Sequence, residues 1–106
     1  MGLIDPARMR DRVTLQQRQS GQDAAGQPSQ TWADVATVWA DVRRLSGIEA
    51  IKAGADTATV RASVRVRWRS GVDAGMRLVI DGQAHDIEAV LPNKHDGYID
   101  IACVSI

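Results

Sequence analysis

A chain of 106 residues fits one domain with a modest core, residues 1–106. Charged residues make up 25% and the formal net charge is zero, so bulk electrostatics give no reason to expect nucleic-acid or membrane binding and leave only local patches. A single cysteine, Cys103, excludes an internal disulfide framework, and with no phenylalanine much of the core must come from Val, Ile, Leu and Ala.

At the N-terminus, Asp5 followed by Pro6 has the form of a helix start, which predicts a short turn or helix. Residues 1–6 lack a charged head followed by an apolar stretch, and no apolar run approaches the ~20 residues of a membrane span. The expectation is a soluble protein made in a cytoplasm, with no membrane partner. Residues 12–19 read as a strand, with Val13 and Leu15 on one face and Thr14, Gln16 and Arg18 on the other. The polar, glycine-containing stretch 20–28 then reads as a hairpin turn.

Residues 30–44 read as a long strand. Val38, Ala40 and Val42 share one face, and Trp39, Asp41 and Arg43 the other. The earlier half is out of phase, because Trp32 and Val35 are three apart, so a bulge or bend near 35–37 is expected. Ser46 with Glu49 three residues on has capping-box spacing. The stretch that follows permits two turns of helix at most, with Ile48 and Ile51 on one side and Gly54 as a stop. A helix this short must pack on something.

Residues 59–69 alternate most regularly. Val60, Ala62, Val64, Val66 and Trp68 fall on one face, and Arg61, Ser63, Arg65, Arg67 and Arg69 on the other. A turn over 70–75 leads to a strand at 76–80. Asp81-Gly82 is a two-residue hairpin signal, and 83–91 returns with Ala84, Asp86 and Glu88 opposed to His85, Ile87 and Ala89. A loop over 92–97 precedes the last strand, 98–106, where Cys103 reads as a small buried hydrophobe. About six strands, one short helix and no βαβ rhythm predict an all-β class, a small barrel or sandwich of antiparallel strands.

Chemistry-bearing motifs are sparse. His85 and His95 form no HxH or HExxH pair, and one cysteine cannot build a zinc knuckle, so no metal or cofactor is expected. No GxSxG elbow or phosphate-binding glycine loop occurs. Asp81, Asp86 and Glu88 crowd one hairpin, where carboxylates are usually solvated, and no catalytic residue is assigned. The arginine row admits two readings. Same-face neighbours on a strand lie roughly 6.5 to 7 Å apart, so four like charges repel unless something faces them. Either Asp41, Asp86 or Asp100 pairs with them across the sheet, or the row faces nucleic acid or an acidic partner. Trp68 lies on the opposite face, which argues against a base-stacking platform.

The ordered set of elements resembles the phage head-closure, or head–tail joining, family of tailed-phage connector proteins. The resemblance rests on Arg12-Val13-Thr14-Leu15-Gln16, on 23–28 followed by Thr31-Trp32, and on Val38-Trp39-Ala40-Asp41-Val42 with Leu45-Ser46-Gly47-Ile48-Glu49. It continues through Arg65-Val66-Arg67-Trp68-Arg69, Gly71, Met76-Arg77-Leu78, Asp81-Gly82, Ile87-Glu88-Ala89-Val90, Tyr98 and Cys103. It departs at His85, where members often carry an aromatic.

The resemblance implies a small antiparallel β-barrel of about six strands with one short helix in a long inter-strand loop, 45–58. It implies a structural virion protein, not an enzyme, whose copies form a ring below a portal-bound adaptor. That ring closes the DNA-filled head and offers the tail a docking surface. The expected partners are the portal-adaptor protein, a tail-completion protein, further copies of the chain, and packaged DNA in the channel. Arg61, Arg65, Arg67 and Arg69 would face channel, DNA or partner. Ser46, Ile48, Glu49, Ile51 and Lys52 would lie on a loop directed at the channel or a neighbouring subunit. Two other readings stand beside this one: a nucleic-acid-binding barrel using the arginine face, and a small hydrolase using His85 with Asp86 or Glu88.

Overall fold

Period-two alternation of Val, Ile and Leu with polar residues builds sheets with one buried face, and a sheet this short buries that face best by closing on itself. The structure, a computed structural model, describes residues 6–22, 28–44 and 60–106. After a 3-10 turn at Pro6–Arg8 come β1 (Asp11–Gln22), β2 (Pro28–Arg44), β3 (Arg61–Arg67), β4 (Arg77–Ile80), β5 (Gln83–Asn93) and β6 (Tyr98–Ser105). All pairings are antiparallel, and the order β1-β2-β3-β6-β5-β4 closes through β4 onto β1. The all-β barrel is therefore as expected. The expected short helix and its residues Ser46, Ile48, Glu49, Ile51 and Lys52 lie outside the described residues.

The core is aliphatic. Val13 and Leu15 of β1, Ala40 of β2, Val64 and Val66 of β3, and Leu78 and Ile80 of β4 meet Ile99, Ile101 and Cys103 of β6. Val38, Val42 and Trp68 pack against this cluster from its margins. Trp39, by contrast, is 51% exposed, as its outward phase requires. Val60 was expected on the buried face. It precedes β3, is 40% exposed, and is held by main-chain and side-chain hydrogen bonds to Ser105, each 2.8 Å.

Two bulges set the register. Leu15 faces Ala36 while Gln16 faces Asp34, so Val35 is the extra residue of β2, within the window the phase break marked. On β5, Ile87 faces Cys103 while Ala89 faces Ala102, leaving Glu88 unopposed. That second bulge corrects the simple alternation of 83–91: beyond it Val90, not Ala89, packs on the core. β5 also runs on to Asn93, past the expected start of the loop. At the β4–β5 hairpin both central residues have positive φ, Asp81 at 52° and Gly82 at 79°, the backbone of the mirror-image turn that an Asp-Gly pair favours.

Candidate functional site

The outward side chains of β3 are Arg61, Ser63, Arg65 and Arg67, because Ala62, Val64 and Val66 take the inward phase. Register places a carboxylate on each side of Arg65, since Asp41 opposes it from β2 and Asp100 from β6. The guanidinium donates from Nε and Nη2 to the two oxygens of Asp100, at 2.8 and 2.9 Å. It also lies 3.9 Å from the centre of the Tyr98 ring. The hydrogen bonds to Asp100 raise the Arg65 pKa further, with burial opposing and the charges of Asp100, Tyr98 and Asp41 adding. Asp41 is shared, because Arg43 Nη2 donates to its Oδ2 at 3.4 Å. Together Asp41, Arg43, Ser63, Arg65 and Asp100 line a polar depression of about 170 Å³.

The arginine row is therefore not a uniform positive strip. Arg61 sits 4.0 Å from Glu88, both side chains about half exposed, which is a weak surface pair. Arg67 is exposed and borders a cleft of about 270 Å³ formed with Pro6, Met9 and Trp39. Arg69 lies beyond the end of β3, where Trp68 N–H donates to Gly97 O at 2.8 Å and takes the chain out of the sheet. Of the three carboxylates expected to face the row, Asp100 does so fully and Asp41 in part. Asp86 opposes Arg77 of β4 instead.

Other candidates are dispersed. His85 is 2% exposed, faces the core, and its Nδ1 lies 2.9 Å from Gln83 O. Asp86 points the opposite way, into solvent, so the two do not form an acid–base pair. His95 is exposed in the turn before β6. Cys103 is buried and its thiol is pushed up to about 11, mainly by burial, with Glu88 adding and Arg44 opposing. That thiol is inert packing at neutral pH. No cluster of metal-ligating side chains occurs among the described residues.

Sequence reasoning missed a set of cation–aromatic stacks. Arg12 lies over Trp39 at 4.8 Å, Arg77 and Arg18 over Trp32 at 4.1 and 5.4 Å, and Lys94 over Trp68 at 4.8 Å. Arg12–Trp39 and Arg18–Trp32 are directly opposed pairs on β1 and β2. Their spacing along the chain would have revealed them once the Val35 bulge fixed the register. The stack from Arg77 depends on the closure of β4 against β1 and has no local signal.

Fold and surface define a class: a small closed β-barrel whose outer face is built from ion pairs and cation–aromatic stacks. The chain belongs to the phage head completion protein family, whose sequence pattern matches residues 4–106. This agrees with the resemblance read from the ordered motifs. It is 35% identical over 77 residues to head completion protein gp7 of Enterobacteria phage HK97, covering 73% of this chain and 69% of that protein. The solution structure of protein SF1141 from Shigella flexneri 2a superposes with a TM-score of 0.69 at 31% identity, covering 96% of each chain. A chain from the virion of a native gene transfer agent particle shares the fold, with a TM-score of 0.68 at 18% identity, covering 93% of this chain and 96% of that one.

Proposed function

We propose that this chain acts as a single domain that completes the head of a tailed phage or prophage particle and joins it to the tail. Copies form a ring below the portal-bound adaptor, close the DNA-filled head, and offer a surface to the tail-completion protein. The protein is made in the bacterial host cytoplasm and ends in the virion. The observation that carries this reading is the family match, which spans nearly the whole chain. A fold shared with a virion component supports it.

In the ring, the loop over 45–58 with Ser46, Ile48, Glu49, Ile51 and Lys52 turns toward the channel or the neighbouring subunit. The arginine face divides its work. Arg65 holds β3 to β6 through Asp100. Arg67 and Arg69, with no acidic partner among the described residues, meet the channel or an adjacent protein, and Arg61 is easily released from its weak pair. An in-frame deletion of the gene in a particle-producing host tests the reading. Filled heads without tails are expected, with joining restored by the chain supplied in trans. Heads that acquire tails at the undeleted level would overturn it.

A further inference from the structure

Strand edges expose rows of unpaired N–H and C=O groups, and proteins usually guard them with Lys, Pro or a covering segment. Among the described residues, this barrel leaves two edges without a strand neighbour. β2 pairs with β3 only from Ala40 to Arg44, so on that side its residues 28–39 have no strand neighbour among the described residues. β1 pairs with β4 only from Val13 to Gln16, so residues 17–22 have no strand neighbour on the opposite side among the described residues. Both stretches belong to one two-stranded ribbon whose outer part extends past the barrel wall. Neither carries a lysine, and the only proline is Pro28 at the ribbon's far end. Val35, 38% exposed, and Trp39, 51% exposed, stand along the β2 edge.

We propose that the β1–β2 ribbon is the subunit-to-subunit joint: the β2 edge of one copy pairs with the β1 edge of the next. The proposal deepens the ring reading above and rests on it. Three observations select a second copy as the occupant. First, the two bare edges are different sequences on opposite sides of one ribbon. A foreign strand satisfies one of them, whereas head-to-tail repetition of the same chain engages both, 17–22 of one copy against 28–34 of the next, at every joint of the ring. Second, the strand sense is right without adjustment. Rotation about a ring axis keeps every β1 running one way and every β2 the other, so β2 meets the neighbour's β1 antiparallel, as it meets its own. Third, the charges complement. The only charged residue in 28–39 is Asp34, and the only one in 17–22 is Arg18. The Val35 bulge interrupts the β2 edge, leaving 28–34 as an uninterrupted stretch to receive the shorter β1 stretch. The paired ribbons then form a continuous antiparallel wall around the ring.

The test mixes two full-length variants, Gln19→Cys on β1 and Thr31→Cys on β2, treated with a short bifunctional maleimide. Both positions are exposed. Because they are partners within one hairpin, placing them on separate chains makes any link between them intermolecular. Buried Cys103 stays silent, as the unsubstituted chain verifies. A covalent dimer is expected from the mixture and none from either variant alone, both in assembled particles and in the concentrated free chain. If the chain is present in particles and the mixture yields no dimer, or each variant alone yields as much, the ribbon joint is wrong and the head–tail reading stands. If the chain is absent from particles, the head–tail reading fails, and the free-chain arm decides the ribbon joint by the same two outcomes.

Discussion

At the scale of single residues, this surface is governed by which charge finds a partner. Arg65 and Arg61 look equivalent on β3, yet one is held bidentately by Asp100 and the other barely touches Glu88. A bidentate pair that is two-thirds buried and stacked on Tyr98 holds its geometry, whereas a half-exposed pair at 4.0 Å is loosened by solvent. Cys103 shows burial acting as the main cause, with Glu88 adding to it and Arg44 opposing. Its thiol ordinarily titrates near 9.0 and in the fold near 11, so the unfolded chain loses its proton first as pH rises. Stability from this group is complete below about pH 9 and is lost as pH climbs toward 11, by up to about 3 kcal/mol. Denaturant titrations across that range should show the loss in the native sequence, and Cys103→Ala should remove that part of the slope.

At the scale of elements, β1 and β2 are each two things. Their barrel halves, Val13, Leu15 and Ala40, sit in the core, while the outer ribbon depends on Trp32, stacked beneath Arg77 of β4 and beside Arg18 of β1. None of the described side chains at 17–19 and 31–34 is buried, so opening of the ribbon should cost far less than global unfolding. Trp32→Ala should speed amide exchange several-fold in 17–22 and 28–34 and leave β3 and β6 unchanged, with a global loss of about 1 kcal/mol or less. Equal acceleration in β6 would show that the ribbon and barrel open as one unit. The bulges belong to this scale too. Each re-phases a strand by one residue, which is why Trp32 and Trp39 both stack beneath arginines of β1 across a phase break.

At the scale of the molecule, zero net charge and the pairing of Arg65 weaken the nucleic-acid reading for an isolated chain. Phosphate contact depends on free cations displacing counterions, and the β3 row keeps few. Fluorescence anisotropy should find duplex DNA bound no tighter than about 10⁻⁴ M at physiological salt. Tighter binding that weakens in Arg67→Ala would instead assign the face to nucleic acid.

The local pattern by itself determined the strand count, the buried face of β3, the Asp81-Gly82 hairpin and the phase break at Val35. Each follows from spacing along a few residues, and period-two alternation is a local property. The ordered motifs also carried the family. Spacing could not choose between paired and free arginines, because Asp41, Asp86 and Asp100 are equally plausible partners until strand order is known. Tertiary structure settled that choice: β3 lies between β2 and β6, which brings Asp100 to Arg65, and β5 lies between β6 and β4, which sets Asp86 opposite Arg77 in register and away from the β3 row. It also decided which edges lack a strand neighbour among the described residues. An edge is defined by the strand that is missing beside it, and only the closed barrel shows where β3 and β4 stop short of the ribbon.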